Sequence, residues 1–239
     1  IRRLKESLRS IEINEIFKKF NSLKFIILNL IKINTIKSGF LYLQVTRGTA
    51  ARNHIFFKGI RPNILINIYP EKKNIQLDKG VKVKTSKDLR WGRCDIKSIS
   101  LLPNVLGKQE AFNSGFFELW QTSEFEEITE GTTSNAFIVN EDNVIQTHPK
   151  NNLILGGVTR DNIISLAKKE GINVVENAFN MKQLYSCNEA FLTSTTLGII
   201  PVVQVNDKFI SEGKIGRITN RLKNFYKEHI DKQLTKNNE

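Results

Sequence analysis

From Arg2 to about residue 35, apolar residues recur at helical spacing (Leu4, Leu8, Ile11, Ile16, Phe17, Phe20, Leu23), with breaks near Asn14 and Ser22. This predicts two helices. After Gly39 the pattern changes to a strand-like run, Phe40 to Val45, and a second β-rich run spans Ile64 to Tyr69, so the two read as neighbouring strands with Ile64, Ile66 and Ile68 on the core face. Pro70-Glu71-Lys72-Lys73-Asn74 is polar, led by proline and without periodicity. We read it as a linker, which divides the chain into a small N-terminal domain, 1–72, and a larger C-terminal domain, 73–239.

Past the linker, Val81 to Thr85 alternates as a strand, and a helix is expected from about Leu102 to Asn113, ending at Gly115. Strand signals then dominate through His148. Gly156-Gly157-Val158-Thr159 opens a helix that runs to Glu170 and stops at Gly171, the usual place for a C-terminal glycine. Strands return at Phe191-Leu192-Thr193 and at Pro201 to Val205, and a basic amphipathic helix from about Ile215 to Lys232 follows. No internal repeat is present. Strands outnumber helices and do not alternate with them strictly, which favours an α+β fold over a doubly wound sheet.

A chain of 239 residues buries a sizeable core without disulfides. Its two cysteines, Cys94 and Cys187, lie far apart and lack the spacing of a metal site, so no metal is expected and a reducing, cytoplasmic compartment is. No apolar run approaches the roughly 20 residues a bilayer span needs. The start, Ile1-Arg2-Arg3-Leu4-Lys5, lacks the apolar core of a signal peptide and reads as the edge of a piece whose beginning lies upstream. The net charge of +12 is spread along the chain with no arginine-rich stripe or interleaved aromatics, so neither a nucleic-acid nor a membrane partner is expected.

Four segments carry candidate chemistry. Arg90 to Ser98 sets Lys97 just past a strand. Thr129-Glu130-Gly131-Thr132-Thr133-Ser134-Asn135 joins a carboxylate to a glycine and a run of hydroxyls. Gly156-Gly157-Val158-Thr159 at a helix start suits a phosphate, although Thr159 could equally cap the helix through its hydroxyl. Thr193-Ser194-Thr195-Thr196 ends a strand with four hydroxyls. An amine, a carboxylate and two phosphate-type loops form the set that pyridoxal 5'-phosphate requires.

With Val45 to Thr49 and Arg52-Asn53-His54, these segments form an ordered series that resembles the class IV aminotransferases, and within them the members specific for D-amino acids. The resemblance spans essentially the whole chain. It implies a two-domain α+β enzyme that moves an amino group from a D-amino acid such as D-alanine to 2-oxoglutarate, giving pyruvate and D-glutamate. Lys97 would be the Schiff-base lysine, and Glu130 would face the pyridine nitrogen. Val158, Thr159, Thr195 and Arg3 would bind the phosphate, and Leu155 would pack on the ring. Arg52 and His54 would receive the substrate carboxylate from the neighbouring subunit, which implies a homodimer acting on small-molecule amino and oxo acids. That pair also argues against a branched-chain aminotransferase or an aminodeoxychorismate lyase on the same scaffold; the remaining alternatives are an inactive fragment and a basic nucleic-acid-binding protein. The resemblance further implies a segment ahead of Ile1 with a tyrosine that completes the carboxylate trap. Ala51 departs from the family's usual proline. The sequence leaves the roles of Arg90 and Glu118 open.

Overall fold

The computed structural model describes residues 1–13, 20–71, 77 and 79–236. The chain divides into two compact units, Ile1–Ile75 and Gln76–Glu239. Most of the expected linker lies outside the described residues.

The first unit holds helices α1 (Arg2–Ser10) and α2 (Phe20–Ile33) and strands β1 (Gly39–Thr46) and β2 (Asn63–Pro70). The expected break near Asn14 falls outside the described residues. The one near Ser22 does not occur: α2 runs through it, because an exposed serine in the first helical turn competes little with the backbone there. β1 and β2 pair antiparallel from Gly39 opposite Pro70 to Thr46 opposite Asn63, and the facing rings of Phe40 and Tyr69 stack at 5.0 Å. The expectation for β2 holds for Ile66 and Ile68, which are half-buried, but Ile64 is 44% exposed. The helix α2 packs against β2, and a ladder of two strands has too little apolar cover to bury one face from end to end. Arg47 ends this unit's hairpin by donating to the carbonyls of Ile11 and Glu12, with its guanidinium 3.5 Å over the Phe56 ring. These contacts anchor both sides of the loop that carries Arg52 and His54.

The second unit contains β3 (Val81–Lys87), α3 (Leu102–Asn113), β4 (Glu118–Thr122), β5 (Ile128–Gly131), β6 (Asn135–Val139) and β7 (Ile145–Thr147). These are followed by α4 (Val158–Lys169), β8 (Val174–Glu176), α5 (Met181–Ser186), β9 (Glu189–Ser194), β10 (Gly198–Val205), β11 (Lys208–Phe209) and α6 (Arg217–Lys236). A mixed sheet runs in the order β5-β4-β3-β10-β9-β6-β7-β8, with β11 added to β10. Three pairs are parallel (β3 with β4, β3 with β10, β7 with β8) and the rest antiparallel, as an α+β chain requires. Pro201 sits inside β10 because the ladder to β3 starts one residue later, at Val202, and needs no N–H from the proline.

Both faces of the sheet are covered. Ala136 and Ile138 of β6 point to a core with Val83, Trp120, Phe179 and Leu192, while Phe137 and Val139 point to another with Phe191, Ile163 of α4 and Leu222 of α6. Phe137 and Phe191 are register partners whose rings stack at 4.7 Å, and burying each is worth about 1.5–3 kcal/mol. Helix ends follow the sequence signals: Gly115 (φ +75°) and Gly171 (φ +72°) take the left-handed backbone just past the caps of α3 and α4. At the start of α6, the buried Glu189 carboxylate accepts from the backbone N–H groups of Ile218 (2.8 Å) and Thr219 (2.7 Å). Among the described residues no helix is long and apolar enough to cross a membrane.

Candidate active site

The segment after β3 turns out of the sheet at Asp88, whose N–H still reaches the Thr122 carbonyl at 2.8 Å. Arg90, two residues on, folds back and is nearly buried. Its Nε and one Nη bond the two Asp88 oxygens at 2.9 and 2.7 Å, a two-point contact, and the same Nη donates to the Leu153 carbonyl at 2.9 Å. The other Nη donates to Glu130. Burial alone would raise the Asp88 carboxyl, but hydrogen bonds and charge from Arg90 outweigh it and hold Asp88 below the usual carboxylate range. Further along, the Cys94 N–H donates to the Asn152 carbonyl at 2.8 Å, and Ile96 is buried. The next residue, Lys97, is exposed on this pinned loop.

Glu130 lies near the end of β5, 5% exposed. Besides Arg90 it accepts from Asn135 Nδ2 at 2.9 Å and from the Leu155 N–H at 3.0 Å. Burial pushes its carboxyl up to about 7, and the charge and hydrogen bond of Arg90 pull the other way. A carboxyl poised there can hold or share a proton near neutral pH.

The turn from β5 to β6 is built around a second buried carboxylate. Glu118 on β4 accepts from the hydroxyls of Thr132, Thr133 (2.7 Å) and Ser134 (3.2 Å) and from the N–H groups of Leu119 (2.9 Å) and Thr133 (3.2 Å), with Lys108 of α3 at 3.7 Å. The hydroxyl run that reads in sequence as a ligand site is spent on Glu118. Gly131 is required here, since a Cβ would stand 2.2 Å from Ser134 Oγ and 3.1 Å from Glu118 Cγ.

The phosphate-type segments meet the same end of the sheet. Asn135 pairs across the ladder with Thr193, and its Nδ2 also donates to the Leu155 carbonyl at 2.9 Å. Gly157 is the N-cap of α4 and no side chain caps it. Thr159 is therefore not the cap: it is the second helical residue, buried, while Val158 before it is 50% exposed. Among the described residues, no side chain caps this first turn, the condition under which a helix start takes up an anion. A Cβ on Gly157 would come within 2.1 Å of Asn135 Oδ1, so the loop approaches as closely as it does only because the residue is glycine. Arg160 points inward, fully buried, to the His148 carbonyl (2.7 Å) and Glu176 (2.9 Å). Thr195 is exposed on the turn after β9.

The second unit therefore links Glu130 and Leu155 directly, and carries Val158 and Thr159 three and four residues beyond Leu155. Its donor set fits pyridoxal phosphate: a buried carboxyl near neutrality for a ring nitrogen, an uncapped helix start for a phosphate, and an accessible lysine. In the first unit, Arg3 is half-buried on α1, and Arg52 and His54 are exposed. Asp88, Arg90 and Asn135 join the site only in three dimensions. The sequence signals were the Asp-x-Arg spacing and the asparagine that closes the hydroxyl run.

The amino-transferase class IV family matches residues 1–205 of this chain. D-alanine aminotransferase of Bacillus licheniformis is 37% identical over 237 residues, 99% of this chain and 83% of that protein. Among solved structures, the branched-chain amino acid aminotransferase of Escherichia coli is similar with a TM-score of 0.80 and 26% identity, covering 93% of this chain and 74% of that one. The T.th. branched-chain enzyme solved with pyridoxamine 5'-phosphate reaches a TM-score of 0.87 at 24% identity, covering 95% of this chain and 76% of that one, a likeness of fold.

Proposed function

This chain belongs to the class IV aminotransferases, a pyridoxal-phosphate-dependent family, and from that premise we propose that it moves the amino group of a D-amino acid such as D-alanine to 2-oxoglutarate, giving pyruvate and D-glutamate. The observation that carries this reading is the likeness, over nearly the whole chain, to a D-alanine aminotransferase. Arg52 and His54 support it, since a guanidinium with a neighbouring imidazole clamps an α-carboxylate in one orientation.

Bound at the second unit, pyridoxal phosphate supplies an aldehyde that takes up an amine and a protonated ring that draws electrons from the substrate α-carbon. Lys97 would hold the cofactor through Nζ and, once displaced by the substrate amine, would move the proton at the α-carbon. Glu130 would hold a proton on the ring nitrogen. The N–H groups of Val158 and Thr159, with Thr195, would bind the phosphate, and Leu155 would keep water off the ring face.

A homodimer is part of the same reading, with Arg52 and His54 serving the partner's site. It is supported by the outward apolar face of α3, where Leu102, Val105 and Leu106 are 68%, 58% and 60% exposed. A reducing, cytoplasmic setting is supported by the two free thiols, Cys94 and Cys187.

The test is an absorption spectrum of the purified protein with pyridoxal phosphate, before and after D-alanine, with Lys97→Ala as control. A visible band that requires Lys97 and shifts with D-alanine but not L-alanine is expected. A shift with L-leucine and not with D-alanine would instead select a branched-chain aminotransferase, the activity named for the similar Escherichia coli structure. No band in the wild-type protein would remove the cofactor reading altogether.

A further inference from the structure

The guanidinium of Arg90 stands between two carboxylates that it does not treat alike. Asp88 takes its flat edge through two bonds, to Oδ1 at 2.9 Å and Oδ2 at 2.7 Å, and is itself fixed by Thr129 Oγ1 at 2.9 Å and by the Arg90 N–H at 3.0 Å. Glu130 receives a single N–H from the opposite nitrogen, its remaining donors being the neutral groups of Asn135 and Leu155. A guanidinium paired at two points with one carboxylate has most of its charge already answered. With Asp88 absent, the same cation would be free to neutralise Glu130.

We propose that Asp88 is a positioning residue of the cofactor site: by occupying the two-point edge of Arg90, it keeps the Glu130 carboxylate from being neutralised and so leaves it able to hold a proton on the cofactor's ring nitrogen. This rests on the reading of Glu130 as the partner of that nitrogen. With Glu130 ionised, the arrangement is a row of alternating charge, minus, plus, minus, largely withdrawn from solvent, whose net negative charge would favour a proton on a ring nitrogen held at Glu130. Of the other titratable groups that act on this row, Cys94 has its thiol pushed up to about 11 by burial and stays neutral near pH 7. His148 is held neutral by its own burial. Among the described residues, Asp88 is the carboxylate bonded to the two-point edge of Arg90, and through that contact it sets how much of the Arg90 charge Glu130 feels.

The experiment uses the protein loaded with pyridoxal phosphate carrying nitrogen-15 in the ring, whose NMR shift reports protonation directly and independently of turnover. Asp88→Asn, close to isosteric, is expected to lower the pH at which the ring nitrogen loses its proton, by about one unit, the low end of an opposite-charge effect. Arg90→Gln removes the cation and is expected to move the midpoint upward. In the Arg90→Gln background, adding Asp88→Asn is expected to change little, because Asp88 acts through Arg90. General loosening of the site would move both single variants in one direction and overturn the proposal, as would an unchanged midpoint in a folded, loaded Asp88→Asn protein. If that variant does not fold, Arg90→Gln decides alone, and no upward shift in it counts against the proposal. Failure of the wild-type protein to take up the labelled cofactor would overturn the underlying reading instead.

Discussion

Asn135 Nδ2 stands 2.9 Å from Glu130 Oε2 and also 2.9 Å from the Leu155 carbonyl, so one side-chain amide ties the proposed ring-nitrogen carboxylate to the stretch of chain that leads into the phosphate loop. The two ends of the proposed cofactor site are thereby set by a single residue.

Asn135→Ala removes both bonds and leaves the Oε2 oxygen of buried Glu130 and the half-buried Leu155 carbonyl each short of a donor, a loss of about 1–3 kcal/mol in all. We expect a lower melting temperature and faster release of pyridoxal phosphate on dilution. A melt unchanged from wild type would show that the amide links nothing.

Gly157→Ala places a methyl group 2.1 Å from Asn135 Oδ1 and 3.3 Å from Arg160 Cβ. The α4 start has to move away, at about 1–3 kcal/mol for an overpacked site. Weaker binding of pyridoxal phosphate is expected, and of inorganic phosphate as a competitor, measured by calorimetry. Gly157 has φ −66°, a value any residue adopts, so the cost comes from the close approach and not from backbone strain.

Burial holds the His148 imidazole below its ordinary value, with Arg160 and Arg90 adding to the effect and Glu127 and the Pro149 carbonyl opposing it. Folding therefore favours the neutral ring. Its contribution is complete above 6.5, the ordinary value, and is lost as pH falls through the folded one. Glu130 has the opposite sign: folding favours its protonated form, so its contribution is complete below 4.5 and is lost as pH rises through about 7. In thermal melts across this range, His148→Gln is expected to weaken the fall in stability on the acid side, and Glu130→Gln the fall towards neutral pH. A pH profile unaltered by either substitution would contradict these assignments.

Glu189→Ala removes the anion that satisfies two backbone N–H groups at the start of α6, which costs about 0.5–2 kcal/mol for the cap and more because the site is buried. The expected result is a lower melting temperature with an unchanged cofactor spectrum, since Arg221 near the start of α6 bonds the Glu170 carbonyl at the far end of α4, at 3.2 Å, and not the α4 start. A changed spectrum would mean that the helix start supports the site.

The elements that could be read in the chain are those whose signals are local. The glycines after α3 and α4, the alternation in β3 and the apolar run of β10 each state their own structure. α5 was not legible because six residues are too few for a helical period, even though Asn180 and Gln183 form a capping box. Ile64 was misread because alternation states which face a residue shares and not whether anything covers that face. In the candidate site, Lys97 and Glu130 stand out in their own segments and the resemblance supplies the roles proposed for them, whereas Asp88, Arg90 and Asn135 acquire theirs from how β3, β5 and β6 lie across the sheet. Glu118 looks in sequence like any surface glutamate. Only the hydroxyls of the β5–β6 turn, folded onto it, turn it into a buried hub.

β3 opens the second unit and β10 comes near its end, yet Val81 pairs with Val202 and Val83 with Val205. On a ribosome, β3 and the proposed cofactor lysine that follows it emerge long before the strand that completes their sheet. The growing chain must wait with an open edge, and contacts so distant along the sequence form slowly. Pulse-labelled or truncated chains that stop before β10 are thus the forms in which this protein would engage chaperones.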